Sequence, residues 1–111
     1  MAQIEYEDFE KAEIRVGKVI KVEEFPKVRK PTYKLWIDFD DFGIKKSSAQ
    51  ITKLYNTEDL LNRLILALTN FPPRQIADFV SEVLVLDVVL GDGEVVLIQP
   101  DRDVLLGKRV L

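Results

Sequence analysis

The sequence predicts an all-β fold: a five-stranded Greek-key barrel with a short helix between strands three and four and an extension at each end. Three observations predict it. Several segments alternate apolar and polar residues with a period of two, signals rich in Gly, Pro and Asp separate them, and the clearest helical pattern falls between the third segment and the fourth. The chain has 111 residues, 47% of them apolar, which suits one core and a single domain over residues 1–111.

Tyr6 to Lys11 can form one or two helical turns, with Phe9 inward and acidic residues near the positive end of the helix dipole. Ile14 to Phe25 reads as one long strand. Ile14, Val16, Lys18, Ile20 and Val22 share one face, and Glu13, Arg15, Gly17, Val19 and Lys21 the other. Gly17 marks either a bulge that bends the strand or a place of close packing. Phe25 to Thr32 is a loop bracketed by Pro26 and Pro31 and loaded with cations. Tyr33, Leu35, Ile37 and Phe39 then alternate with Lys34, Trp36 and Asp38, a half-buried strand with Trp36 and Lys34 facing away from the core. Asp40 to Gly43 makes a turn. The acids Asp38, Asp40 and Asp41 lack the further oxygen ligands and the spacing of a cation loop, so they read as a solvated turn and no metal site is expected.

Ile44 to Ile51 is the third strand. Within Thr52 to Arg63, Thr57 before Glu58 and Asp59 reads as a helix N-cap followed by an acidic first turn. Leu64 to Phe71 is the fourth strand. Pro72 and Pro73 follow, and each fixes its own φ while pushing the preceding residue out of the helical region. The corner is thereby stiff and can present Arg74, Ile76 and Phe79 at little ordering cost. Phe71 and Phe79 read either as contacts borne on this corner or as core residues. Val83 to Leu90 is almost continuously apolar, as in a strand covered on both faces. Gly91 to Gly93 signals a turn, and Glu94 to Ile98 completes a hairpin. Val104, Leu105, Leu106, Val110 and Leu111 are too apolar for a free tail, so the end is expected to dock.

Composition narrows the functional classes. The chain has no Cys and no His, which removes thiolate nucleophiles, the usual general base and the commonest metal ligands. No local spacing suggests a catalytic carboxylate or Lys pair, so neither enzymatic activity nor a cofactor is expected. No apolar run approaches the roughly 20 residues that span a bilayer, and the start is acidic, so a soluble cytoplasmic protein without membrane insertion is expected. The net charge is −3, but Lys27 to Lys53 holds seven basic and three acidic residues, a local excess of +4 against −7 elsewhere.

The strand order is that of an OB-fold, and the helix before the fourth strand and the short chain favour it over a β-sandwich; ligands of that fold lie on the face of strands two and three and between flanking loops. That rule groups Lys34, Trp36, Lys46, Ser48 and Gln50 with Phe71, Arg74, Ile76, Phe79, Ser81 and Glu82 as a candidate peptide- or RNA-binding surface. Apolar side chains and cations there can take up an extended polypeptide. The same cations with Trp36 or Tyr33 can instead hold single-stranded RNA.

Three segments carry a family resemblance: Ala12 to Val19, Lys34 to Phe39, and Ser47 to Thr52. They resemble the tRNA-binding domain attached to some methionyl-tRNA synthetases. Asn70 to Ala77, with Ser81 to Leu86, is similar to the stand-alone CsaA-type, export-related chaperones. The resemblance implies a homodimer formed through the chain termini, with unfolded or precursor polypeptides as partners and tRNA as the alternative. The chain departs from the wider family in having Phe25-Pro26 where His-Pro is frequent, and Asp78 and Asp87 where Gly is common.

Overall fold

The computed structural model describes residues 1–111. A short helix α1 (Tyr6–Glu10) precedes β1 (Ile14–Glu24), which pairs antiparallel with β2 (Tyr33–Asp38); β2 pairs in turn with β3 (Ile44–Ala49). Helix α2 (Thr57–Leu60) leads into β4 (Leu64–Leu68), which returns to the other side of β1. The chain then forms a small hairpin of β5 (Arg74–Ile76) and β6 (Phe79–Ser81) before β7 (Leu84–Val85) pairs with β4. The sheet order is β3-β2-β1-β4-β7. Just before β7, the N–H groups of Glu82 and Val83 donate to the Lys46 carbonyl of β3 (2.7 and 3.3 Å), nearly closing the barrel. This is the expected OB-type arrangement. A separate ribbon of β8 (Asp87–Val89) and β9 (Val95–Leu97) packs on it through Leu97, which is buried in the core. No helix is long and apolar enough to cross a membrane.

The core lies inside the barrel, where Leu35, Ile37, Phe39, Ile51, Leu60 and Ile65 are fully buried. Strand β2 keeps the strict alternation read from the sequence, with Tyr33, Leu35 and Ile37 inward. Strand β1 does not. Its register with β2 shifts between Val19, opposite Ile37, and Lys21, opposite Trp36. The extra residue Ile20 turns outward, so Val19 before it and Val22 after it both face the core. The bend thus falls three residues past Gly17, and Gly17 serves close packing. A Cβ there would stand 2.5 Å from Ile37 Cγ2 and 2.6 Å from Phe39 Cε1.

Three further expectations are corrected. The α2 cap is Asn56, one residue before Thr57: the Asp59 N–H donates to Asn56 Oδ1 and the Asn56 N–H to Asp59 Oδ2, both at 3.0 Å. This reciprocal pair satisfies two donors at once, an arrangement the Thr57 register does not make. The fourth strand ends at Leu68 rather than Phe71. The apolar run Val83 to Leu90 is two strands, because β7 pairs with β4 while β8 pairs with β9; Val88 and Val89 lack cover and are 51% and 70% exposed.

The final segment docks along β1 as expected, but through backbone hydrogen bonds rather than burial of its apolar side chains, since Leu105 and Leu111 stay exposed. The Gly107 N–H donates to the Val16 carbonyl (2.8 Å), the Val16 N–H to Lys108 (2.9 Å), and the Val110 N–H to Ile14 (2.8 Å). Gly107 has φ +86°, and a Cβ at this position would lie 2.7 Å from the Phe39 carbonyl oxygen. The Arg109 guanidinium donates to the carbonyls of Glu10 and Ala12, tying this segment to the start of the chain.

Candidate binding face

The outer face of the barrel follows from strand parity. With Leu35 and Ile37 inward, Lys34 and Trp36 point outward, opposite Ser48 and Lys46 of β3. On the other side of β2, the bulge in β1 places Lys21 opposite Trp36 and Glu23 opposite Lys34. The Lys21 ammonium lies 4.5 Å from the Trp36 ring centroid. Glu23 sits between two ammonium groups, 3.3 Å from Lys21 and 3.5 Å from Lys34. The Lys21 hydrogen bond is the main cause holding the Glu23 carboxyl below its ordinary value.

The β5–β6 hairpin lies over this face. Phe79 meets Phe25 edge-on at 5.6 Å and Trp36 edge-on at 5.8 Å between ring centroids. The ammonium groups of Lys46 and Lys34 stand 5.3 and 5.7 Å from the Phe79 ring. Such contacts are worth about 0.5–1.5 kcal/mol per aromatic pair and about 0.5–1 kcal/mol per exposed cation–π contact. Lys27 of the first loop bonds Asp78 at the hairpin tip (2.5 Å). Where the hairpin rejoins the barrel, the Ser48 N–H donates to Ser81 Oγ (3.1 Å) and the Lys46 N–H to Glu82 Oε1 (3.0 Å). Two side-chain oxygens therefore do what carbonyls of a neighbouring strand would do. Phe79 is not presented by the corner but is only 5% exposed, because the face itself supplies rings and cations that bury it.

The residues grouped from the sequence divide between two neighbouring features. Lys34, Trp36, Lys46 and Phe79 build the aromatic–cation stack. Ser48, Gln50, Arg74 and Ile76 line a cleft of about 370 Å³ together with Val28, Arg29, Lys30 and Thr32 of the first loop. No carboxylate lines this cleft, so its charge comes from Arg29, Lys30 and Arg74 alone. Phe71 is 44% exposed at the proline corner and does not line the cleft. Lys21, Glu23 and Phe25 belong to the stack without having been singled out. Cross-strand pairing of β1 with β2 would reveal the first two only once the bulge is known. Asp38 has a local role, its Oδ1 accepting the Asp40 N–H (2.8 Å) in the turn. No group of three or more acidic side chains is placed to hold a metal ion.

A small, nearly closed barrel with a cationic cleft and an aromatic face outside strands two and three places the chain in the OB-like class of folds. Residues 14–109 match the family described as "Putative tRNA binding domain", and the chain belongs to that family. Within it, the chain is similar to the chaperone CsaA from Bacillus anthracis str. Ames, with 47% identity and a TM-score of 0.94 over 99% of this chain and 100% of that one. It is also similar to the CsaA chaperone protein from Picrophilus torridus, with 49% identity and a TM-score of 0.90 over 98% and 100% of the two chains. The methionine–tRNA ligase of Thermococcus onnurineus (strain NA1) is 34% identical over 110 residues, 96% of this chain but 14% of the ligase. The chain thus spans only a small part of the curated relatives it matches.

Proposed function

We propose that the chain is a non-enzymatic, dimeric chaperone that binds unfolded or precursor polypeptides, connected with protein export in the cytoplasm. The observation that carries this reading is the cleft itself. It joins apolar Val28 and Ile76 to three cations, a lining suited to apolar side chains and to peptide carbonyls or carboxylates. Its walls are a proline-bracketed loop and a hairpin bonded to that loop, so a segment is received with little reordering. Likeness to CsaA chaperones over almost the whole chain supports the same reading. Exposed Val88, Val89 and Val96 on the ribbon, with Leu105 and Leu111 near the chain end, supply apolar surface for a dimer contact.

The second reading is tRNA or single-stranded RNA binding on the same face, which family membership and the cleft cations favour. Against it stands the condition of the aromatic rings. Base stacking needs a free ring face, whereas Phe79 is 5% exposed and the Lys21 ammonium lies 4.5 Å from the Trp36 ring centroid. A side-by-side titration with tRNA and with an unfolded precursor peptide at low and moderate salt separates the two. Polypeptide capture that weakens only modestly with salt, since a few cations and apolar contact share the binding, and no tRNA complex, is the expected result. A tRNA complex that weakens steeply with salt, without peptide capture, would overturn the chaperone reading. Sedimentation at several concentrations tests the dimer.

A further inference from the structure

We propose that an extended segment of client polypeptide binds by adding a strand to the open end of β3, its backbone pairing at Ser48 and Gln50. This rests on the polypeptide reading above and specifies how that binding is made. Strand β3 lies at the end of the sheet order. By the parity of Lys46, its outward backbone groups are those of Ile44, Lys46 and Ser48, and the residues leading into β7 give a backbone bond only at the Lys46 carbonyl. At Ser48 the cover is by side chains alone. The Ser48 N–H has a hydroxyl, Ser81 Oγ, and the Ser48 carbonyl accepts the hydroxyl of its neighbour Ser47 (3.2 Å). Two residues on, with the same parity, Gln50 is exposed, and its N–H and carbonyl make no backbone hydrogen bond.

Edge groups that only side chains cover, as at Ser48, or that lack a backbone partner, as at Gln50, are a template for an incoming strand, which would take over the Ser81 contact. Edges left open on a folded protein are ordinarily blunted by charge, proline or a covering element. Here Ser48 and Gln50 line the cleft that holds Arg29, Lys30 and Arg74, so the charge at this edge repels a basic segment and admits an acidic one. A strand in that position sends alternate side chains to opposite sides. Side chains of one parity meet apolar Val28 and Ile76, while carboxylates elsewhere in the segment meet the cations. The preferred client is therefore an extended, acidic–apolar segment. Alternating donors and acceptors along a strand edge match a peptide backbone, which a nucleic-acid strand does not offer, so the edge favours polypeptide over RNA.

The test uses the intact chain and a capped peptide of alternating Val and Glu. Amide hydrogen exchange is read at Gln50, and affinity is measured for the peptide and for versions N-methylated at successive positions. Peptide addition is expected to slow exchange at Gln50. Methylation is expected to weaken binding about tenfold at positions of one parity, where an N–H is paired, and little at the other. A Val–Lys peptide and the Arg74→Glu variant are each expected to bind more weakly than the reference pair. Equal effects of both methylation parities, or capture of the Val–Glu peptide with unchanged exchange at Gln50, overturn strand addition while leaving the chaperone reading in place. Protection of Gln50 by tRNA alone, with no capture of an unfolded precursor polypeptide, overturns both.

Discussion

Phe79 stands edge-on to Trp36 with ring centroids 5.8 Å apart, and this contact decides what the outer face of the barrel offers. Removing the ring leaves Phe25, Lys34 and Lys46 without the surface they pack against. Phe79→Ala is expected to cost about 3 kcal/mol, in the range of large-to-small changes at buried aromatic sites. Trp36 fluorescence should shift to the red and quench more readily. Denaturant unfolding and emission spectra measure both, and an unchanged Trp36 spectrum would show that the hairpin is held by something other than this ring.

Gly17 permits the tightest approach in the core. An added Cβ would fall within 3 Å of both Ile37 and Phe39, two fully buried residues with no room to retreat. Gly17→Ala is expected to destabilise by about 3 kcal/mol, the upper end for overpacking, despite the better intrinsic propensity of Ala. Thermal unfolding should show a clear drop in Tm.

Ala77 is the left-handed residue of the β5–β6 turn, with φ 53°. The two aspartates that stand where glycine is common, Asp78 and Asp87, are not among the residues with positive φ. An L side chain in this region costs about 1–2 kcal/mol, partly offset by the entropy that glycine loses on folding. Ala77→Gly is therefore expected to stabilise the chain by about 0.5–1 kcal/mol, measurable by urea unfolding.

Asp78 and Asp87 are shifted in opposite directions from the ordinary carboxylate value. The hydrogen bond from Lys27 is the main cause holding Asp78 below its ordinary value. Its contribution is complete above the unfolded-state pKa and is lost as pH falls through the lower folded value. Burial pushes Asp87 up, so the ionised group opposes folding near neutrality, and that penalty is relieved as pH falls through its raised value. Urea unfolding between about pH 7 and about pH 3 should show Asp78→Asn less stable than the parent near neutrality and Asp87→Asn more stable, both differences shrinking toward acid.

The fold was legible where burial imposes a short-range period. Tyr33 to Phe39 showed both the strand and its outward face, and that was enough to place Lys34 and Trp36. The bulge at Ile20 was hidden because Val16, Ile20 and Val22 are all apolar and fit one parity by composition alone. Val83 to Leu90 misled for a related reason: a strand in a barrel and a strand of a separate ribbon can carry the same side chains, and only tertiary cover distinguishes them. Phe79 could be read as core or as contact because its partners, Phe25, Trp36, Lys34 and Lys46, lie far away in sequence. Ser81 and Glu82 gave no local sign that their side chains substitute for a neighbouring strand. The cleft was half legible, since the proline-bracketed cations and the Arg74 corner stand out in the chain, while their meeting at Gln50 depends on the closure of the barrel.

The clasp of Arg109 on the carbonyls of Glu10 and Ala12 ties the segment after the ribbon to the link between α1 and β1. Loosening of one flank therefore releases the other, and the two open as a single cooperative unit while the strand pairing of the barrel persists.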